Sequence, residues 1–149
     1  MNISKNILDE LEKKGWYPQR KINIDEIVRV LHEEGYDLNK YALNFFEQFA
    51  FLEFEHPAFR IEGKFDKIHF NPLETCENIY REKVETYENR IGESLVVIGE
   101  AYNGYLTLMI SNSGKIYGAY DDFLTLKGES LEIALENFFN GIKTEEIPM

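Results

Sequence analysis

Residues 95–120 constrain the fold of this chain most, because three apolar segments in this stretch are separated by two short turn sequences. The first turn sequence, Asn103-Gly104, tolerates positive φ angles and therefore predicts a two-residue type I′ turn. The second, Asn112-Ser113-Gly114, predicts a three-residue loop with its glycine in the left-handed conformation. The stretch is thus expected to form a three-stranded antiparallel meander on which the rest of the chain packs.

A two-residue turn also predicts which side chains share a face, because strand residues alternate between the two faces of a sheet. The expected pairs include Val97 with Ile110 and Tyr102 with Tyr105. One face is apolar and is expected to be core: Val97, Gly99, Ala101, Leu106, Leu108, Ile110, Ile116, Gly118 and Tyr120. The other face carries acidic, aromatic and hydroxyl groups: Glu100, Tyr102, Tyr105, Thr107 and Tyr117. A face of that composition needs water, a helix or a partner molecule over it.

Composition limits the classes of protein that this chain can belong to. Its 149 residues, 44% of them hydrophobic, suffice for one buried core, so a single domain over residues 1–149 is expected. The 27 acidic and 16 basic residues give a net charge of −11, which disfavours nucleic acids and anionic membranes as partners. A lone cysteine, Cys76, excludes an internal disulfide framework, and no apolar run is long enough for a bilayer span. A cytoplasmic location is therefore expected.

Apolar positions at helical spacing predict five helices around the meander. They cover residues 4–14, a segment capped by Asn23 and ended by Gly35, a segment capped by Asn39 and ended near residue 49, residues 74–90, and a segment of residues 131–139 capped by Ser130. Extended patterns predict strands at 51–55, 58–63 and 67–70, and residues 121–124 are expected to form an edge segment or a loop. Trp16 is expected to be substantially buried and to anchor the loop after the first helix.

Three residues could form a small catalytic or metal site: His56, Asp66 and His69 would meet if their strands pair. The histidines do not have metal-ligand spacing, and Cys76 has neither a CxxC companion nor an adjacent base. Coincidental placement is therefore favoured, and the sequence predicts no catalytic residue, no cofactor and no metal. A small metal-dependent hydrolase built on these three residues is the third alternative.

A series of short motifs occurs in a fixed order along nearly the whole chain: Gly15-Trp16 followed by Arg20, a helix through Phe46 and Phe49 to Leu52, Val97-Ile98-Gly99-Glu100, the strand of residues 106–110, Gly114-Lys115-Ile116-Tyr117, Gly128, and a closing helix with Gly141. In this order and spacing the chain resembles the SUKH superfamily of bacterial immunity proteins, specifically its third branch. It departs at Ala50-Phe51, where the family often has paired glycines before the leucine; this departure concerns the geometry of the local turn and not the resemblance as a whole.

The resemblance implies an α+β domain with an antiparallel or mixed β-sheet, a central meander, and helices packed on one side. It also implies an antitoxin, not an enzyme, that binds and neutralises a cognate polymorphic toxin, often a nuclease with a basic surface; the acidic charge of the chain agrees with such a partner. The partner-binding residues are then expected to be Glu100, Tyr102, Tyr105, Tyr117, Asp121 and Asp122. The main alternative is a protein- or peptide-binding module of the same fold without a toxin.

Overall fold

The computed structural model describes residues 2–149 and contains six α-helices and six β-strands within that range. The helices are α1 (Lys5–Lys13), α2 (Asp25–Glu33), α3 (Lys40–Phe49), α4 (Pro72–Asn78), α5 (Arg81–Ile91) and α6 (Leu131–Phe139). The strands are β1 (Glu53–Pro57), β2 (Phe65–His69), β3 (Leu95–Ala101), β4 (Leu106–Ser111), β5 (Ile116–Tyr120) and β6 (Phe123–Gly128). Over these residues no helix is long and apolar enough to cross a membrane.

The six strands form one antiparallel sheet in chain order, from β1 at one edge to β6 at the other. The predicted meander is the centre of this sheet, as β3, β4 and β5. The β1–β2 hairpin joins it through a single bridge between His69 and Glu100. The predicted α+β class with an antiparallel sheet and a central meander is thereby confirmed. The segment after the meander, for which a strand and a loop were both open, is the edge strand β6.

One face of the sheet packs on α3 and α6 through aromatic side chains, and we call it the α6 face. Phe54 of β1 stacks on Phe139 of α6, with ring centroids 6.0 Å apart. Phe70, after β2, contacts Phe45 of α3 edge to face at 4.8 Å. Such ring geometries add to the hydrophobic burial that holds helix and sheet together.

The opposite face, which we call the α4 face, is also covered by a helix. His69 and Glu100 point to this face, and they contact Glu74 and Asn78 of α4. Strand β3 is buried along its whole length, which requires cover on both sides. The expectation of helices on one side only is therefore wrong for α4. Its apolar pattern could not show this, because hydrophobic spacing tells which side of a helix is buried but not which face of a sheet it covers.

The two turns of the meander have the predicted backbone conformation. Asn103 and Gly104 have positive φ angles of 61° and 96°, and Gly114 has a φ of 86°. These are short-range features, set by residues that tolerate left-handed dihedrals. Tyr102 also has a positive φ, 50°, which takes its side chain out of the strand alternation that we predicted.

The predicted register holds for three pairs, Ala101–Leu106, Glu100–Thr107 and Gly99–Leu108, and fails on either side of them. The predicted pair of Tyr102 with Tyr105 is not formed, because both residues belong to the turn and not to the strands. Glu100 pairs with Thr107 as expected, but an irregularity between Val97 and Gly99 shifts the pairing by one residue. Val97 therefore faces Met109 and not Ile110. A bulge of this kind places one extra residue in one strand and reverses the facing of the residues beyond it.

Two predicted elements and the predicted burial of one residue differ in the structure. Residues 74–90 form two helices, because Ile79 and Tyr80 both have extended backbone dihedrals between α4 and α5. Residues 58–63 form a loop and not a strand. Tyr120, predicted to be core, is 54% exposed at the end of β5. The first helix, by contrast, lies as predicted, and Trp16 after it is half-buried and stacks on Phe49 at 6.2 Å.

Candidate functional site

The predicted recognition face is not an open surface. Glu100 is 4% exposed and Tyr117 is 5% exposed, because both lie on the covered α4 face. The Tyr117 hydroxyl donates to Glu93 Oε2 at 3.1 Å, and burial together with Glu93 raises the pKa of Tyr117 to about 12. Tyr102 is half-buried, whereas Tyr105, Asp121 and Asp122 are exposed. The structure therefore does not bring the six predicted residues together on one surface.

Glu100 accepts hydrogen bonds at the junction of the sheet and α4. His69 Nε2 lies 2.7 Å from Glu100 Oε1 and 2.8 Å from Glu74 Oε2. Asn78 Nδ2 donates to Glu100 Oε2 at 3.1 Å. The backbone N–H of Asn71 donates to His69 Nδ1 at 3.0 Å, so this nitrogen uses its lone pair and the proton of the neutral ring is on Nε2. His69 therefore donates to the two carboxylates.

This tautomer decides what the cluster can do. Ligand atoms of His69, Glu74 and Glu100 lie within 4.8 Å of one another, which is close enough for a shared metal ion. A metal would need the Nε2 lone pair, but that nitrogen carries the proton as long as Nδ1 accepts from Asn71. The cluster of His69, Glu74 and Glu100 is therefore better explained as a set of hydrogen bonds that holds α4 against the β2–β3 bridge than as a metal centre.

The residues of the hydrolase alternative do not converge. His56 and Asp66 are cross-strand partners in β1 and β2 and lie on the α6 face. His69 follows Asp66 by three positions in the same strand, so it points to the α4 face. The group required for that alternative is therefore divided between the two faces of the sheet.

A large open groove lies on the α6 face, between the β1–β2 hairpin, the turn after β3, strand β6 and the segment that follows α6. Its volume is about 1170 Å³. The side chains that define its floor and rim include His56, Tyr102, Tyr105, Tyr120, Lys127 and Phe138. The segment after α6 is held along β6, where the Ile147 N–H donates to the Leu124 carbonyl at 2.7 Å. The groove is thus bounded on this side by a segment that is hydrogen-bonded to β6.

The floor of the groove contains a buried lysine. Lys127 is 4% exposed and its Nζ lies 4.6 Å from the Phe138 ring centroid and 5.7 Å from that of Tyr102. Among residues 2–149 its ammonium group has no carboxylate within salt-bridge distance. Burial lowers the pKa of Lys127, since desolvation disfavours its charged form.

A buried histidine lies beside the same two aromatic rings. His56 is 2% exposed, and its ring centroid is 5.6 Å from that of Phe138 and 5.8 Å from that of Tyr102. Its Nδ1 lies 3.0 Å from the Pro57 carbonyl, which can only accept, so Nδ1 carries a proton. Its Nε2 is buried with no hydrogen-bond partner in the described chain. Burial lowers the pKa of His56, and the nearby charge of Lys127 lowers it further, whereas the Pro57 carbonyl and Asp66 act in the opposite direction.

The rim of the groove is apolar and exposed. Tyr105 is 81% exposed, and Phe59, Tyr120 and Ile142 are each more than half exposed. Exposed aromatic side chains around a concave centre are typical of protein interaction sites. Tyr105 is the one residue of the predicted partner-binding set that is both on this rim and largely open to solvent.

The turn between β5 and β6 presents two further predicted residues, Asp121 and Asp122. Helix α5 holds their backbone: the Tyr87 hydroxyl donates to the Asp121 carbonyl at 2.6 Å, and Arg90 donates to the Asp122 carbonyl at 2.8 Å. The Asp122 carboxylate also lies 3.3 Å from Lys83 Nζ. The two acidic side chains are thus exposed on an anchored turn directly after the rim residue Tyr120.

Sequence reasoning missed Lys127 and Phe138 as site residues. A strand prediction for β6 would have placed Lys127 on one face with Phe123 and Thr125, by simple alternation. Nothing in the sequence relates this strand to His56, because the two residues come from opposite edges of the sheet and contact the same rings only in the folded chain.

Comparison with known proteins agrees with this architecture. The sequence model of the SUKH-3 immunity protein family matches residues 3–141. No curated protein and no solved structure matches the chain. Because the match covers most of the sequence, including every helix and strand described, the chain belongs to the SUKH-3 immunity protein family.

Proposed function

We propose that this protein neutralises a cognate polymorphic toxin by binding to it and covering its active surface, without catalysing a reaction itself. Family membership over residues 3–141 is the observation that carries the proposal. The separation of His56 and Asp66 from His69 supports it, since no group of side chains predicted for hydrolysis is assembled.

The groove on the α6 face is the surface that we assign to the toxin. It is concave, and aromatic side chains on its rim can anchor a partner with little loss of side-chain entropy. Tyr102 and Tyr105 of the predicted set belong to it, and Asp121 and Asp122 lie beside it on the β5–β6 turn. Glu100 and Tyr117 contribute from the interior, by fixing the sheet that carries the groove.

The charge of the chain supports a basic, nuclease-type toxin as the target. A net charge of −11 would attract a cationic nucleic-acid-binding surface and speed association. A bacterial cytoplasm, where such a toxin would meet nucleic acid and where Cys76 would stay reduced, is the location that we propose.

Coexpression tests this function directly. Host cells that express the toxin from the neighbouring gene should survive when this protein is present and die when it is absent. Equal survival with and without the protein would refute the immunity function.

A matched pair of tyrosine variants tests the surface. Tyr105 and Tyr80 are both 81% exposed, but only Tyr105 is on the groove. Tyr105→Ala should weaken toxin binding about 30-fold, the equivalent of a 2 kcal/mol hot spot, whereas Tyr80→Ala should leave the dissociation constant unchanged. Calorimetric titration measures both, and equal affinities for the two variants would exclude the groove as the binding surface.

A further inference from the structure

The ammonium group of Lys127 lacks a counter-ion although the residue is almost fully buried. Its nearest described partners are the rings of Phe138 and Tyr102, whose faces attract a cation less strongly than a carboxylate does. A buried charge that is only partly compensated is costly, so it favours an incoming group of opposite sign. The lysine lines the groove, and it is therefore accessible to a ligand that enters from the rim.

His56 supplies a second unsatisfied group at the same place. Its Nδ1–H is used by the Pro57 carbonyl, so the buried Nε2 is the nitrogen that has no partner. In the protonated ring this nitrogen becomes a donor, and a nearby anion stabilises that form. Lys127 and His56 contact the same two rings and both line the groove, so an anion bound at its floor would lie close to both groups.

The other charges at the groove limit the charge of the ligand. Asp66 lies across the strand pair from His56, and its carboxylate accepts from Asn103 Nδ2 at 3.1 Å. Arg60 lines the groove, as do Lys143, Glu145 and Glu146 of the segment after α6. With one buried lysine cation on the floor and one carboxylate beside His56, the floor suits a monoanion better than a phosphate dianion.

We propose that the floor of the groove is a carboxylate-binding site, in which Lys127 and His56 receive the side chain of an Asp or Glu residue from the partner protein. The inference rests on the proposed function, and it adds which chemical group of the partner protein is bound. A groove of about 1170 Å³ with an open aromatic rim suits a segment of a protein, with one acidic side chain reaching the floor, better than a small metabolite. If the toxin is a nuclease that holds its metal ion with carboxylates, capture of one of them would also block its reaction.

A blocked glutamate is the first probe. N-acetyl-glutamate N-methylamide is titrated into the full chain while the imidazole resonances of His56 are followed by NMR, and the neutral glutamine analogue serves as the control. The glutamate probe should shift these resonances saturably and bind at least about tenfold more tightly than the glutamine analogue. Equal responses to the two probes, or no saturable response, would overturn the proposal. Tighter binding of free succinate would assign the site to a small acid and overturn the assignment to a partner protein.

Variants show whether the named residues form the site. Lys127→Met keeps the length of the apolar stem and should abolish the preference for glutamate over glutamine. Lys67→Met, on an exposed lysine of the opposite face, should keep it. His56→Asn retains a donor near the Pro57 carbonyl but removes Nε2, and it should weaken the glutamate probe as well. Thermal unfolding of each variant identifies any that does not fold, and a folded Lys127→Met protein that still prefers glutamate would refute the site.

The toxin itself separates this proposal from the proposed function. If the protein protects cells and Lys127→Met binds the toxin about tenfold or more weakly, both stand. If Lys127→Met binds the toxin as tightly as the unmodified protein, the carboxylate anchor fails and the immunity function remains. If the glutamate probe binds but cells are not protected, the immunity function fails, and so does the assignment of the site to a toxin side chain.

Discussion

Replacement of Glu100 by alanine is expected to lower the free energy of unfolding by about 2–4 kcal/mol. The carboxylate is buried and accepts one hydrogen bond from His69 at 2.7 Å and another from Asn78 at 3.1 Å. Bonds to a charged group in a buried site contribute about 1.5–3 kcal/mol each. The expected loss is smaller than the sum of two such hydrogen bonds, because in the variant His69 keeps Glu74 as an acceptor at 2.8 Å and Asn78 is exposed enough to bind water.

Glu74→Ala is the matched control, because it removes the other carboxylate from the same histidine. The Glu74 side chain is 53% exposed against 5% for that of Glu100. A contact with a carboxylate that is this exposed contributes less than about 1 kcal/mol, so this variant should be close to the unmodified protein in stability.

Urea denaturation followed by circular dichroism measures both variants under the same conditions. The difference in unfolding free energy between them should be about 2 kcal/mol or more in favour of Glu74→Ala. If Glu74→Ala lowers the unfolding free energy as much as Glu100→Ala or more, the reasoning that the buried position of Glu100 makes its hydrogen bonds stabilising is refuted.

Three further changes test other parts of the structure. Gly99→Ala should cost about 3 kcal/mol or more in urea unfolding, because a Cβ there would lie 2.0 Å from the His69 carbonyl oxygen, and a stable variant would contradict the close approach of β2 and β3. Lys127→Met should raise the unfolding free energy by about 1 kcal/mol, since it replaces a largely buried lysine that has no carboxylate of the described chain within salt-bridge distance by an apolar side chain of similar length, and a loss of stability would show that the ammonium group is already satisfied in the free protein. Stability should fall as pH rises from about 10 to about 12, because burial raises the pKa of Tyr87 and of Tyr117 to about 12 and the unfolded chain, with tyrosine pKa values of about 10, loses these protons first. The urea midpoint measured across this range should fall less in Tyr117→Phe, and an identical fall would assign the effect to other groups.

Local features were predictable from the sequence because their causes lie within a few residues. The turn at Asn103-Gly104, the left-handed Gly114 loop and the Ser130 cap follow from backbone dihedrals and short-range hydrogen bonds. The meander and the order of most elements followed from these signals and from the apolar spacing between them. The boundary between α4 and α5 at Ile79 is not predicted, because the apolar residues before and after it continue the same helical spacing and no proline or glycine separates the two helices.

The candidate site could be predicted only in part, because burial depends on what the remote chain covers. Glu100 has the same local alternation whether its face is open or lies under α4. The irregularity before Gly99 shifts the strand register where no turn residue in the sequence marks it, and Gly99 lies close to the His69 carbonyl of β2. Lys127 and His56 come from opposite edges of the sheet and contact the same two rings, Phe138 of α6 and Tyr102 of the turn after β3. The sequence by itself determined the turns, the helix caps, the alternation of side chains along the strands and the overall charge of this protein. The tertiary structure decided which polar groups are buried, which face carries the groove, and that Lys127, without a carboxylate partner in the described chain, lines it. These features depend on contacts between residues far apart in the chain.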